Sequence, residues 1–377
     1  MEQTSSEQAR IRVALIFGGQ SPEHGVSCLT ATSVLKAVDR DRFDVVGVGI
    51  TRQGRWTQVP LDVIAGYRIV DGEMPEVADG DHDAVWMVGA SGCEVASRDG
   101  HALVDINRVD VAFALLHGPF GEDGTIQGLF EMMGIRYVGS GVAASAIGMD
   151  KHHMKVAFEA AGLPVWPYVV ATAQRWSDDR DGVVADVSAM QLPVFVKPSR
   201  GGSSLGITRV AELSELEAAI EAAQVHDPKV IIEQGFVGAR ELECAVLANP
   251  EAEDGCDASA IGEIRVLAEH GFYDFEAKYI ADDQAALDIP AHIPAELTRE
   301  IQAVAKRAFT AVGAEGLARV DVFAAASGEV WINEINTMPG FTEISMYPKL
   351  IQHSGMTYPD LVGRLIELAL SRPIGLR

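Results

Sequence analysis

Short apolar runs alternate with amphipathic stretches through the first third of the chain. IRVALIFGG is followed by SCLTATSVLKAV and FDVVGVGIT, and later VDVAFALLHG precedes GTIQGLFEMMG. Apolar runs of strand length between helix-spaced segments predict a parallel sheet covered by helices. Residues 71–105 break this pattern with Gly, Asp and Ser, and read as an excursion that adds no chemistry. Around 150 the pattern changes. MDKHHMKVAFEAAG predicts a helix ending at Gly162, just before Pro164. LPVFVKP and GITRV predict strands bracketing the loop SRGGSSL. A helix over 212–225 and the strands KVIIEQGFV and ELECAVLA close this small middle unit. The last third holds a loop AEHGFYDFEAKYIADD, a long helix over 294–312, a hairpin, and a helix from about Tyr358.

The hairpin carries the most pointed chemistry. In GLARVDVFAAASGEVWINEINT, two alternating strands meet at Ser327-Gly328, a two-residue turn signal. Pairing Ala326 with Glu329 then sets Asp321 opposite Glu334 and Arg319 opposite Asn336. Cross-strand Cβ atoms lie roughly 4.5–5.5 Å apart, so two facing carboxylates repel unless a cation intervenes. Without one, neutralising Asp321 should stabilise the hairpin. Two carboxylates and an amide oxygen are hard ligands that suit Mg²⁺ or Mn²⁺. Solvated acids on an exposed face are the alternative.

Composition narrows the classes. A chain of 377 residues suits two or three domains, and 48% hydrophobic with 22% charged residues is globular. We expect boundaries at 1–150, 151–240 and 241–377. A formal charge of −24 argues against a nucleic-acid partner, which would need clustered Lys and Arg. The four cysteines have no metal-ligand spacing, and no run of about 18 apolar residues occurs. A soluble, cytoplasmic protein with reduced thiols and no membrane partner is the expectation.

Three glycine-rich segments follow strands. Gly18-Gly19 lacks dinucleotide spacing. Glu23 beyond it is either a first-turn acid or an acceptor for a substrate ammonium. HGPFGEDGT offers backbone amides to an anion, with His117, Glu122 and Asp123 able to orient a ligand or simply to form a tight loop. FVKPSRGGSSLG sets Lys197 ahead of a Ser/Gly loop. That order is unlike a Walker loop, and the segment is either a mobile hairpin or a phosphate cradle through the amides of Gly201 to Ser204.

Taken together, GGQSPEHGVS, LLHGPFGEDGTIQG, GMDKHHMK, KPSRGGSSLG, IIEQGFVGARELE, FYDFEAKY, ARVDVF and INEINTMPGFTEISMYP resemble the D-alanine:D-alanine ligases of the ATP-grasp superfamily. One position departs: Gly25 stands where many members place an acid. The resemblance implies an α/β ATP-grasp fold: a Rossmann-like parallel-sheet N-terminal domain, a small α+β middle domain and a larger α+β C-terminal domain. It implies ATP-dependent, ADP-forming ligation of two D-alanines through an acyl phosphate, for peptidoglycan synthesis. It also implies a homodimer.

For individual residues, the resemblance implies that Lys151 and Lys197 serve phosphate and adenine, with Glu233, Glu241 and Ser204 completing the nucleotide set and Lys278 meeting the transferred phosphate. Asp321, Glu334 and Asn336 would hold two Mg²⁺ or Mn²⁺. Arg319 and the Gly340 amide would face the oxyanion. Glu23 would take the first ammonium, and Ser345 and Met346 the second carboxylate. Ser203 and Tyr279 would join two loops as a lid, and His117 is a candidate base. D-lactate- or D-serine-using relatives are the sibling reading, and the EAKY segment with Tyr279 favours the dipeptide maker. A binding module without catalysis would lose the metal ligands, which are all present.

Overall fold

The computed structural model describes residues 10–90, 92–202, 206–236, 238–266 and 285–375. Two compact units result. The first takes the described parts of Met1–His117, Ile126–Val138 and Thr357–Leu376; the second takes Gly118–Thr125 and the described parts of Gly139–Met356.

The first unit is built on β1 (Ile11–Gly18), β2 (Phe43–Ile50), β3 (Trp56–Gln58), β7 (Val111–Ala114) and β8 (Arg136–Tyr137), ordered β3-β2-β1-β7-β8. All neighbours are parallel except the β2–β3 edge pair. Near-continuous burial of β1 and β2 explains their unbroken apolar runs, since both faces are covered. Helix α1 (His24–Ala37) packs on β1, and α2 (Leu61–Gly66) on β2 and α1. Ile126 and Phe130 of α3 (Thr125–Met133) enter the same core. Gly18 ends β1 at φ +88, where an added Cβ would sit 2.3 Å from the Ile50 carbonyl oxygen, so only glycine fits.

The excursion has structure that the sequence pattern concealed. Strands β4 (Asp83–Gly89), β5 (Gly92–Asp99) and β6 (Ala102–Val109) form an antiparallel meander. Strand β4 is partly buried along most of its length, so it lacks the clean two-residue alternation that marks a strand. Before it, Val77 packs over Gly18 and Gly49. The Val77 N–H donates to His24 Nε2 at 3.0 Å, and His24 Nδ1 lies 2.6 Å from the Gly19 carbonyl, which places the ring proton on Nδ1.

The second unit contains two sheets. One orders β9 (Tyr168–Thr172), β10 (Val194–Pro198), β11 (Thr208–Val210) and β12 (Lys229–Gln234) as β11-β10-β12-β9, antiparallel throughout. Helices α6 (Ala173–Asp178), α7 (Arg180–Ser188) and α8 (Leu216–Gln224) supply Trp176, Val187 and Ile220 to its core. The other orders β13 (Arg240–Ala248), β14 (Cys256–Val266), β15 (Ala285–Asp288), β16 (Leu317–Ala324) and β17 (Val330–Asn336) as β15-β14-β13-β16-β17. Its separate core includes Met154 and Phe158 of α5 (Lys151–Ala160), which follows α4 (Val142–Met149), and Ile301, Ala305 and Phe309 of α9 (Ala295–Ala311). Helix α10 (Met346–His353) packs on β13 and β14. The expected division kept everything after 241 together, but α11 (Tyr358–Ser371) packs on α1, β7 and β8 in the first unit. An amphipathic helix encodes a buried face, not its partner.

Gly25 acquires a reason here. A Cβ built on it would lie 2.4 Å from Met74 Cβ and 3.3 Å from the Pro75 carbonyl oxygen. Helix propensity favours Ala over Gly by about 1 kcal/mol, while overpacking costs about 1–3 kcal/mol. We expect Gly25→Ala to lower stability in urea melts; a gain would show that the segment through Met74 yields freely.

Candidate functional site

Strands β16 and β17 pair Arg319 with Asn336, Val320 with Ile335 and Asp321 with Glu334, as expected. The route to that register differs from the expected turn. Ala325 N–H donates to the Glu329 carbonyl at 2.9 Å and Gly328 N–H to the Ala325 carbonyl at 3.0 Å, so three residues, not two, make the loop. Near the turn the pairing is Ala324 with Val330 and Val322 with Ile332, one residue out of step; a bulge at Asn333 restores it. Without the bulge, Asp321 would face Asn333.

The facing carboxylates are already compensated, which corrects the expectation of bare repulsion. Arg319 Nε and Nη2 contact the two Asp321 oxygens at 2.7 and 2.6 Å. Glu334 Oε2 lies 3.0 Å from Lys151 Nζ, which also donates to the Gly201 carbonyl at 3.2 Å. Asn336 Nδ2 donates to Asp321 Oδ2 at 3.2 Å, leaving its carbonyl oxygen as the remaining acceptor. On β13, in register with Asp321, buried Glu243 approaches Arg319 Nε at 3.2 Å. Burial disfavours the Arg319 charge, yet Asp321, Glu243 and Glu334 outweigh it and push its pKa up. Lys151 behaves alike: burial opposes its charge, and Glu334, Glu233 and Glu122 raise its pKa above the ordinary lysine value.

Among the described residues, no three carboxylate, imidazole or thiol side chains gather to hold an ion. The donors in register are the two carboxylates and the Asn336 amide oxygen, a hard set fitting Mg²⁺ or Mn²⁺ with phosphate oxygens completing the shell. Arg319 and Lys151 supply the positive charge on Asp321 and Glu334.

On the smaller sheet, Lys197 Nζ is 2.5 Å from Glu233 Oε2 and Lys155 Nζ is 2.7 Å from Oε1. The foot of the Ser/Gly loop is anchored beside them. Lys151 N–H donates to the Ser199 carbonyl at 2.9 Å, Ser199 Oγ donates to Asp150 Oδ1 at 2.9 Å, and Arg200 N–H donates to Asp227 Oδ2 at 2.8 Å. Asp150 also accepts from His153 N–H and from the Lys229 ammonium. Burial opposes its charge, but these donors hold its pKa at about 2. Glu241 is exposed on β13, opposite Phe323. Gly340 lies in the segment after β17. Ser345 is the N-cap residue of α10 without a side-chain cap bond, its Oγ accepting instead from Thr342 N–H at 3.1 Å, and Met346 opens that helix, buried. Ser203, Ser204, Lys278 and Tyr279 lie outside the described residues.

In the first unit, Glu23 directly precedes α1, is 9% exposed, and makes no side-chain cap bond to the helix. His117 is buried, with Nε2 3.5 Å from Thr30 Oγ1. In the second unit, Glu122 and Asp123 tie their own loop: Glu122 accepts from Gly118 N–H at 2.8 Å, and Asp123 from Phe120 and Thr125 N–H at 2.9 and 3.0 Å.

Known families match this chain along nearly its whole length. The model for the D-ala D-ala ligase N-terminus matches residues 12–140, and that for the C-terminus residues 157–367. The chain belongs to the D-alanine–D-alanine ligase family. The D-alanine–D-alanine ligase of Kineococcus radiotolerans is 49% identical over 99% of this chain and 100% of that protein; the one from Mycobacterium ulcerans is 48% identical over 100% of both. Among solved structures, the VanG D-Ala:D-Ser ligase of Enterococcus faecalis is similar at TM-score 0.80 and 34% identity, covering 96% of this chain and 100% of that one. The D-alanine-D-alanine ligase of Coxiella burnetii follows at TM-score 0.79 and 28% identity, covering 96% and 94%.

In this ligase-family chain, sequence reasoning missed Glu243, Lys155 and Asp150. The signals were present: acids at otherwise apolar positions in RELECAVLA, and lysines four apart in MDKHHMK, which share a helix face. Two expectations follow. Asp321→Asn should destabilise the protein in chelator, by about 1–3 kcal/mol, because it removes a charged hydrogen-bond pair while Glu243 still serves Arg319. Stabilisation in a urea melt would show instead that repulsion between the facing carboxylates outweighs those bonds. The depressed Asp150 pKa contributes stability that is present above about pH 4 and is lost as pH falls toward 2. Asp150→Asn should flatten acid unfolding across that window.

Proposed function

We propose that this chain joins two D-alanines into D-alanyl-D-alanine for peptidoglycan precursor synthesis, converting ATP to ADP and phosphate. The supporting observation is the row Asp321–Glu334–Asn336 with Arg319 and Lys151 on its carboxylates, in a chain of this family. A carboxylate is a poor acylating agent, so one oxygen of the first D-alanine attacks the γ-phosphorus, ADP leaves, and an acyl phosphate forms. The amine of the second D-alanine, having lost a proton, attacks the acyl carbon. The C–N bond forms, the C–O bond to phosphate breaks, and phosphate departs.

Asp321, Glu334 and Asn336 would hold two Mg²⁺ or Mn²⁺ ions, which supply charge neutralisation at the transferring phosphoryl group. Lys151 and Arg319 then change partners: Lys151 turns to the phosphates while Arg319 keeps Glu243. Lys197, Glu233 and Glu241 serve the nucleotide. Arg319 and the Gly340 N–H stabilise the tetrahedral oxyanion; one such donor is worth roughly 10²–10³ in rate. Glu23 accepts the first ammonium, Ser345 and Met346 receive the second carboxylate, and His117 is the candidate base. Ser203, Ser204, Lys278 and Tyr279 take phosphate-loop and lid roles on their sequence motifs alone. Division at 150 and 240 with the helix Tyr358–Ser371 returned to the first unit, a cytoplasmic setting and a homodimer complete the proposal.

A second reading, D-serine as the second substrate, is favoured by the similarity to the Enterococcus faecalis D-Ala:D-Ser ligase. Product analysis with D-alanine, D-serine and D-lactate in competition separates them. We expect D-alanyl-D-alanine to predominate and phosphate release to require D-alanine. Mixed products rich in D-serine would replace this assignment with its sibling. Glu334→Gln should lose on the order of a hundredfold or more in rate at low Mg²⁺, because the amide keeps the shape without the charge; full activity there would remove the metal role of the hairpin.

A further inference from the structure

Helix α5 presents Lys151 and Lys155 one turn apart, on the same face. Lys151 reaches Glu334, whereas Lys155 is 1% exposed and reaches Glu233. Burying an ammonium costs several kcal/mol unless a carboxylate meets it, so this lysine depends on its partner. Glu233 faces Phe195 across the β10–β12 ladder, and Lys197 faces Ile231, which places Glu233 and Lys197 diagonally on one sheet face. One carboxylate therefore carries two ammonium groups, one on each oxygen. The Lys155 side chain is 1% exposed and that of Lys197 16%, so Lys197 is the partner able to turn toward a ligand.

We propose that Lys155 is a positioning residue for nucleotide binding: it neutralises Glu233, so that the charge of Lys197 remains available to the nucleotide. The inference rests on the reading that Lys197 meets the nucleotide. Two positive charges on one negative leave the group with one net positive charge. Without Lys155, Glu233 and Lys197 would cancel each other, and Lys197 would have to abandon a buried carboxylate to reach a ligand. A lysine that merely pins α5 to the sheet would leave nucleotide affinity unchanged once the protein is folded. Affinity for ADP therefore separates the two roles.

The test is ADP binding without added metal, measured by calorimetry on wild type, Lys155→Met, Glu233→Gln and the double variant, with circular dichroism confirming the fold. Lys155→Met should weaken ADP about tenfold or more, with KM for D-alanine nearly unchanged. The double variant should bind ADP within about threefold of Glu233→Gln alone, since no carboxylate then competes for Lys197. That comparison still decides the matter if Lys155→Met fails to fold. Wild-type affinity in Lys155→Met, or a double variant about tenfold weaker than Glu233→Gln, would overturn the inference while leaving the nucleotide reading intact. Failure of wild type to bind ADP at all would overturn both.

Discussion

Arg319, held by Asp321 and Glu243 on the paired strands β16 and β13, is the contact on which the site depends. Three carboxylates in register across three antiparallel strands would separate their edges if left bare. A guanidinium forked onto one and touching the second, with a lysine on the third, makes the row tolerable in the buried sheet. Under the proposed function, these same acids would hold a divalent ion. Their present partners are the Lys151 and Arg319 cations, and Glu243 also contacts Arg319.

Helix α5 organises the rest of the second unit's chemistry. Its N-cap, Asp150, ties the helix start to Ser199 and Lys229, so the foot of the Ser/Gly loop is bound to the first turn. Lys151 and Lys155 then project from a fixed backbone toward Glu334 and Glu233, carboxylates on different sheets. Met154 and Phe158 bury the opposing demand for apolar contact in the larger core. A short segment thus couples helix capping, core packing and the placement of two charges.

In the first unit, close backbone approach rather than charge sets the geometry. Gly18, Gly49 and Gly25 leave room for Val77 and Met74, and neutral His24 bridges the Gly19 carbonyl and the Val77 amide. Burial lowers the pKa of that histidine, in keeping with its role as one donor and one acceptor. The departure at Gly25 is therefore linked to the segment that covers it, and Glu23, two residues earlier, begins the same helix turn.

Periodicity and residue type were enough to predict the parallel sheet, the long helix over Ala295–Ala311 and the hairpin that brings Asp321 beside Glu334, because local alternation and helical spacing are properties of consecutive residues. Motif order was enough to reach the family. The meander at 83–109 was not legible because partial burial along β4 blurs its alternation, and neither were the docking of Tyr358–Ser371 on the first unit and the triad of Lys155, Glu233 and Lys197, because a partner distant along the chain decides each. The hairpin shows the division most clearly. Its facing residues were read correctly from a turn that is one residue longer than expected, and the bulge at Asn333 compensates. A turn is chosen by local chemistry, but a bulge is chosen by what the whole sheet must bury, and that choice belongs to the tertiary structure.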